Sequence, residues 1–361
     1  MRMIKRLYRL PVLLVVSLPF TALAGTVETG VSDVSQTGAE QKPVNSKEVF
    51  TYLPDIHATL RPRYEAEIDD DYAGRFEVRN ARLSAEGYVC PVVDYKLQAD
   101  LCDRGKFKML DVWVGLSVAK GFKIITGQTL MPFSVDGVRS PHNYLFANKS
   151  YAGEIVGNTR GVGAKLCYSP LSPLQIEAGV FNNATISDHD VWEKDPVFAA
   201  NARYMIGEVA VECGFKTAAP DSIRINFLNG VISWKSDRWQ IEGEYTYKHY
   251  TNHSFNSANA YSCFASYGMP VNAGIFNRLS FQGRWDGMTD HSTGLRNSDG
   301  HLYLTDKARN RLTLGSTISY IQSPKVKVDM RLNYEKYFYP DGYEPPRGSR
   351  DKIVVELALR F

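Results

Sequence analysis

The residues Ile353-Val-Val-Glu-Leu-Ala-Leu-Arg-Phe361 decide the fold class, because apolar and polar side chains alternate along them. The odd-numbered residues of this stretch, from Ile353 to Phe361, are all apolar. The even-numbered residues include Glu356 and Arg360. Successive side chains of a strand point to opposite sides, so the stretch predicts a β-strand with one apolar face and one charged face.

The same alternation recurs along most of the chain, beginning at Ile56. Just before the last strand, Val328, Met330 and Leu332 share one face, whereas Asp329 and Arg331 share the other. The pattern predicts sixteen strands, most of them long enough to cross a bilayer, at 56–67, 75–89, 92–102, 108–118, 122–129, 159–168, 174–182, 197–207, 209–217, 222–234, 237–248, 258–267, 274–286, 308–322, 325–338 and 351–361.

The connections between these strands alternate in length. Those after even-numbered strands are short, such as Cys90-Pro91 and Ser323-Pro324. Several after odd-numbered strands are long: 130–158, 183–196, 249–257, 287–307 and 339–350. A soluble sandwich has no reason to sort its loops in this way. The fold class predicted is therefore all-β, a transmembrane antiparallel β-barrel of about sixteen strands with short periplasmic turns and long outer loops.

The first residues predict export. Basic residues at positions 2, 5, 6 and 9 precede an apolar run from Leu10 to Phe20, and small residues follow up to Ala24. This is the pattern of a signal peptide over 1–24; the run is too short for a membrane-spanning helix. Residues 25–55 are polar and weakly patterned, which predicts a flexible periplasmic leader before a barrel over 56–361.

Composition is consistent with a barrel and excludes other classes. The chain has 42 Lys and Arg against 39 Asp and Glu, and removal of the signal would take away four basic residues. A near-neutral chain is not expected to bind nucleic acid. Its 21 Tyr and 17 Phe suit the aromatic girdles of an outer-membrane barrel.

Five scattered cysteines, at 90, 102, 167, 213 and 263, form no pair or cluster with metal-ligand spacing. The sequence therefore predicts no zinc or other metal site and no cofactor. We expect unpaired thiols that are buried or face the lumen.

Three segments resemble a known family. Arg79-Asn-Ala-Arg-Leu-Ser-Ala-Glu-Gly87, Asp94-Tyr-Lys-Leu-Gln-Ala-Asp100 and Ile125-Thr-Gly-Gln-Thr-Leu-Met-Pro-Phe-Ser134 are together similar to the phosphate-selective porin O and P family. The terminal Phe361 also resembles the aromatic residue that outer-membrane barrels present to their insertion machinery. The resemblance extends over about 56–361, with the sharpest motifs between 75 and 134.

The resemblance implies a trimeric outer-membrane porin whose third outer loop folds inward and narrows the channel. In this sequence that loop is 130–158, the longest connection. Its Arg139, His142 and Lys149 are candidates for the constriction; the alternative is that they decorate an exposed loop.

The inward faces of the strands indicate where selectivity would lie. On the eight best-phased strands, seventeen basic residues face inward against twelve acidic ones, and the phase of the second strand shifts near Asn80, as at a β-bulge. A ring of cations favours anions. Six of these cations fall near mid-strand and are the predicted pore-lining, anion-binding residues: Arg61, Arg63, Arg79, Arg82, Lys96 and Arg331. The alternative is that they pair with acidic residues across strands and only hold the wall.

The function predicted is passive diffusion of small hydrophilic solutes, with a preference for anions and among them phosphate. Outer-membrane lipid, small anionic or polar solutes and further copies of the chain would be its partners. Two alternatives remain. One is a structural or adhesive barrel with a lumen closed by its loops, and the other is an outer-membrane hydrolase. We expect no enzyme, because no histidine lies in a recognised nucleophile motif.

Overall fold

The period of two along the chain produces an almost purely β structure. The computed structural model describes residues 52–68, 72–157, 159–183, 192, 194–221, 223–323 and 325–361. The predicted signal peptide, and the leader up to residue 51, lie outside these residues. The sixteen strands are β1 Asp55–Glu67, β2 Ala73–Cys90, β3 Val93–Asp103, β4 Lys106–Ala119, β5 Phe122–Leu130, β6 Arg160–Leu171, β7 Leu174–Phe181, β8 Val197–Ile206, β9 Val209–Ala218, β10 Ile225–Lys235, β11 Trp239–Tyr250, β12 Ala258–Ala273, β13 Phe276–Met288, β14 Arg309–Ile321, β15 Lys327–Phe338 and β16 Lys352–Arg360.

The strands form one closed barrel in which each strand is antiparallel to its neighbours in sequence. The barrel closes because β1 pairs with β16, with Thr59 opposite Arg360 and Glu67 opposite Lys352. The Ala58 amide donates to the Phe361 carbonyl at 2.8 Å. Closure pairs the two edges of the described sheet with each other, as a membrane requires, because an unpaired edge in lipid would leave backbone groups without hydrogen bonds.

The two faces of the wall have opposite character, as the alternation predicts. On β16, Val355 and Leu357 are 41% and 47% exposed on the outside, whereas Glu356 is fully buried on the inside. Aromatic residues such as Trp239 and Tyr267 pack against each other on the outer face, with ring centroids 4.8 Å apart. The apolar exterior suits lipid and the charged interior suits an aqueous lumen.

Strand bounds agree with the sequence prediction within about three residues, except in β12. There the strand continues through Pro270 to Ala273, where a turn was expected. Pro270 lies opposite Arg278, and the pairing register shifts between Pro270 and Ala273. A proline is tolerated at such an irregularity because it removes only one ladder hydrogen bond.

The bulge expected near Asn80 is present. Asn80 pairs with Arg61 and Val78 pairs with Pro62, so Arg79 is the extra residue of β2. Its position lets both Arg79 and Asn80 reach polar partners on the inner side.

Among the residues given above, helices are few and short. They comprise α1 Val135–Val138, a π-helical turn at Ala152–Gly157 and 3-10 turns at Pro141–Asn143 and Thr251–His253. None of the helices in the described part of the chain is long and apolar enough to cross a membrane. The prediction of buried or lumen-facing thiols was wrong for Cys213 and Cys263, which are exposed because the strand period places them on the outer face.

Candidate functional site

The described residues between β5 and β6, 131–157 and 159, lie against the inner face of the barrel and are called the inner loop below. It contacts inward side chains of β1, β11, β13, β14 and β15, which lie on one arc of the wall that runs from β11 through β16 to β1. Phe133 and Tyr151 of the loop belong to a buried apolar cluster inside the barrel that also contains Phe227 and Tyr250. The loop is therefore packed against the wall.

The stretch around Ala147 is held on both sides by polar wall residues. The Ala147 amide donates to Asn333 Oδ1 at 2.9 Å, and its carbonyl accepts from Arg61 Nη2 at 2.6 Å. Next to it, Asn148 Nδ2 donates to Glu335 Oε1 at 2.9 Å, and Asn148 Oδ1 accepts from Arg63 Nη1 at 2.9 Å. Backbone and side-chain groups of the loop thus find the partners that burial requires.

Two further arginines fix the following residues of the loop. Arg284 donates to the Asn148 carbonyl at 2.9 Å, and Arg311 donates to the Lys149 carbonyl at 2.6 Å. Both arginines also bind the Asp286 carboxylate, whose other contact is the Tyr151 amide at 3.0 Å. A single buried carboxylate therefore orients two guanidinium groups toward the loop backbone.

An ion pair anchors the first half of the inner loop. Arg139 Nη2 donates to both carboxylate oxygens of Glu242, at 2.6 and 2.8 Å, and Nη1 donates to Asp136 Oδ1 at 2.8 Å. The carboxylates of Glu242 and Asp136 raise the pKa of Arg139 despite its burial. Although burial opposes ionisation of Asp136, the nearby Arg139 and Lys149 lower the pKa of that carboxyl. Arg139 therefore carries its positive charge, and Asp136 its negative charge, at neutral pH.

Three of the predicted pore-lining residues are buried and paired. Arg61, Arg63 and Arg331 are 1%, 4% and 1% exposed. Arg61 and Arg331 share the Glu356 carboxylate at 2.6 and 2.7 Å, and Arg63 lies 2.8 Å from Glu65. These arginines correspond to the alternative in which cations hold the wall, and two of them also hold the inner loop.

The other three predicted residues of the wall are paired but more exposed. Arg79 contacts Asp103 and its side chain is 20% exposed. Arg82 Nε donates to Asp100 at 3.0 Å with a side chain 18% exposed. Lys96 lies 2.8 Å from Glu86 with a side chain 26% exposed.

The three candidates of the inner loop have different surroundings. Arg139 is engaged with Glu242, and Lys149 donates to the Gly137 carbonyl and lies over the Tyr144 ring. His142 is only partly buried and faces the lumen wall formed by β2, β3, β15 and β16. Burial, together with the charges of four wall residues, lowers the pKa of His142 to about 3; these residues are Arg360, Lys327, Arg82 and Lys96.

These four cations are called the basic patch below. The sequence analysis predicted Arg82 and Lys96 to line the pore. It counted Lys327 and Arg360 among the seventeen inward basic residues but did not assign them to a site. Their convergence on His142 depends on how the inner loop is folded. The sequence analysis did not identify Asp136, Asn148 and Glu242, which take part in holding the inner loop, because their contacts also depend on the path of the loop. Only the spacing of three residues between Asp136 and Arg139 indicated a contact. Within the described residues, no group of acidic, histidine or cysteine side chains could hold a metal ion.

Comparisons with known proteins agree with this architecture. Residues 58–196 match the family model described as phosphate-selective porin O and P, which confirms the predicted resemblance. No curated protein matches the chain significantly.

Several solved structures share the fold. An anion-selective porin from Comamonas acidovorans is 11% identical with a TM-score of 0.59, over 85% of this chain and 98% of that chain. The trimer form of OmpT, an outer membrane protein of Vibrio cholerae, is 12% identical with a TM-score of 0.54, over 85% and 98%. The outer membrane channel DcaP of Acinetobacter baumannii is 12% identical with a TM-score of 0.57, over 85% and 97%. The predicted fold class is confirmed.

Proposed function

We propose that the channel of this chain, which is an outer-membrane porin, prefers anions. Residues 58–196 match the phosphate-selective porin O and P family. The inner loop would form the constriction, and the basic patch would be the part of the wall that solutes meet there. Small hydrophilic solutes would pass by diffusion.

The observation that carries the proposal is that four wall cations surround His142, whose pKa is lowered first by burial and then by these charges. A cation beside an imidazole disfavours its protonated form, and four wall cations act on this one. The positive potential of these cations attracts anions and repels cations at that level of the lumen. Arg82, Lys96 and Lys327 each have a carboxylate partner, namely Asp100, Glu86 and Asp329, but their side chains are 18%, 26% and 29% exposed and so stay within reach of a solute.

The buried arginines contribute less to selection. The terminal guanidinium nitrogens of Arg61 bind Asn80, the Ala147 carbonyl and Glu356, and those of Arg331 bind Glu356 and Asp329. A passing anion would have to displace a buried carboxylate from them. We therefore assign Arg61 to the support of the inner loop and Arg331 to the support of the wall, and assign solute contact to Arg82, Lys96 and Lys327, whose side chains are more exposed.

Phosphate is the anion that we expect to be favoured. A guanidinium binds phosphate through two parallel N–H groups, and Arg82 uses its Nε atom for Asp100. Its partly exposed side chain can offer terminal N–H groups to a phosphate oxygen while Lys96 supplies a second charge.

The test is the reversal potential of the purified protein in planar bilayers under a KCl gradient, followed by phosphate competition. The wild type should give an anion-selective potential. The double variant Lys96→Gln/Lys327→Gln should move it toward zero. The matched control is Lys307→Gln, a lysine of the outer segment that pairs with Asp290, and it should leave the potential unchanged. Cation preference in the wild type would refute the proposal, and a closed trace would favour a structural or adhesive barrel.

Assembly and insertion complete the proposal. The OmpT structure is a trimer, and we propose that three copies of this chain assemble with their apolar outer faces in outer-membrane lipid. Phe361, which is 54% exposed, would be the residue that the insertion machinery recognises. No catalytic role is proposed for the loop histidines.

A further inference from the structure

Three tyrosine rings follow one another at the outer end of β15 and in the segment after it. The rings of Tyr337 and Tyr339 are parallel within 4°, with centroids 6.3 Å apart. The Tyr343 ring follows at 5.2 Å from Tyr339 and is tilted by 38°. Each ring is partly exposed. These three residues are called the tyrosine strip below.

The strip lies on the inner side of the barrel. Glu335 is fully buried on the inner face, and the period of two places Tyr337 on that same face. Tyr339 follows the last residue of β15, and its ring is stacked on that of Tyr337. Phe338, between them, is 40% exposed and packs against Trp285 on the outer face. Because β15 ends at an outer segment, the strip lines the outer mouth of the lumen.

Hydrogen bonds fix the strip in place. The Tyr337 hydroxyl donates to Glu335 Oε2 at 2.6 Å, and the Tyr339 hydroxyl donates to the Ser349 carbonyl at 2.6 Å. The hydroxyl groups are therefore engaged at the wall, which orients the rings before any solute arrives. Preorganised groups lose less entropy on binding.

Polar groups with unused hydrogen-bonding capacity lie at the foot of the strip. The guanidinium carbon of Arg309 lies 4.6 Å from the centroid of the Tyr151 ring, and its charge lies close to Tyr339. Among the described residues, the buried Nε of Arg309 and hydroxyl of Tyr151 have no hydrogen-bond partner. Arg309 Nη2 donates to Asp306 Oδ1 at 3.0 Å, and the Asp306 side chain is 27% exposed. Donors and a carboxylate acceptor thus stand beside the rings.

We propose that the tyrosine strip with Arg309 and Asp306 is a binding site for sugars at the outer mouth. A pyranose ring has C–H groups on its faces, which can lie on the apolar rings. Its edge carries hydroxyl groups, each of which needs both a donor and an acceptor. The Arg309–Asp306 pair offers both with balanced charge, whereas an inorganic anion has no apolar face for the rings. The strip precedes the inner loop from the outside, so it would concentrate sugars before they reach the constriction.

The proposal rests on the channel but not on its anion preference. The test titrates maltose into planar bilayers that contain the purified full-length protein, with the acyclic polyol sorbitol as a probe that has hydroxyl groups but no ring. Calorimetry on the detergent-solubilised protein gives the same comparison where no current flows. The site variant is Tyr339→Ala/Tyr343→Ala, and the matched control is Phe338→Ala, the outward aromatic residue of the same strand.

Maltose should block the wild-type current and release or absorb heat in a saturable way. The site variant should need about tenfold more maltose for the same effect, since losing ring contacts of this kind costs on the order of a factor of ten. The control should match the wild type. Absence of maltose binding in both measurements, equal affinity in the site variant, or equal binding of sorbitol would overturn the proposal. Cation preference with intact maltose binding would refute only the anion proposal.

Discussion

Replacing Arg139 with methionine should loosen the first half of the inner loop while the barrel stays folded. The substitution removes three hydrogen bonds, two to Glu242 and one to Asp136, and leaves two carboxylates beside each other with little solvent. Breaking one partner of a buried ion pair costs about 3–5 kcal/mol. This cost lowers the stability of the docked loop and not that of the barrel, because these bonds join the loop to β11 and do not join one strand to another.

The second half of the loop should remain docked. Asn333, Arg284 and Arg311 hold the backbone of residues 147–149 independently of Arg139, and each such hydrogen bond contributes about 1 kcal/mol. We therefore expect a channel with larger, noisier single-channel conductance but an unchanged thermal denaturation of the barrel on gels.

A compensating variant separates the ion pair from simple truncation. In Arg139→Met/Glu242→Leu no unpaired charge from the Arg139–Glu242 pair remains, and replacing both partners of a buried pair by apolar residues is often neutral. The double variant should regain much of the quiet conductance of the wild type. If Arg139→Met alone behaves like the wild type, or if the double variant is the noisier one, the anchoring argument is wrong.

Three other predictions concern the wall, the loop and the outer face. Gly127→Ala should prevent folding, because Gly127 has φ +121 and an added Cβ would lie 2.2 Å from the Val112 carbonyl oxygen. The control is Gly230→Ala, which should fold normally because an added Cβ there would meet open space. Heat-dependent mobility on gels measures folding in both variants. The pKa of His142 is about 3 when the inner loop is docked, whereas an ordinary histidine has a pKa of about 6.5. Between about pH 3 and pH 6.5, therefore, His142 binds a proton more readily when the loop is undocked than when it is docked. Acid should therefore weaken docking over that range, and His142→Gln should flatten the dependence of conductance noise on pH; parallel profiles would contradict this. In membranes, a charged maleimide should fail to label Cys213 and Cys263 whereas an apolar one labels both, and labelling of either by the charged reagent would mean that it does not face lipid.

The strands were predictable because their information is local. A period of two can be read within ten residues, and the shift at Asn80 is visible as a break in that period. The end of β12 was misplaced because Gly268 and Pro270 are turn residues by local preference. In the barrel, the pairing of Met269 with Leu279 continues the ladder past them, so tertiary pairing overrode propensity.

The roles of the inward arginines could not be read in this way. Arg61 binds Asn80, which is near in sequence, but also Ala147 and Glu356, which are 86 and 295 residues away. The alternation predicted that Arg61 and Arg331 face inward, but it could not identify their partners. Only the path of the inner loop determines which cations are buried beneath it and which, like Lys96 and Lys327, stay partly exposed.

The pairing of β1 with β16 has a consequence for how the protein is made. The edge of β1 that does not pair with β2 stays unpaired until β16 is in place. Barrel closure therefore joins segments from opposite ends of the chain, and such non-local steps are slow. Until then two sticky borders are available to any neighbouring polypeptide. The unfolded protein would therefore depend on chaperones until it reaches the membrane. Substitutions at the β1–β16 pairing should lower the yield of folded protein before they change solute diffusion through the finished channel.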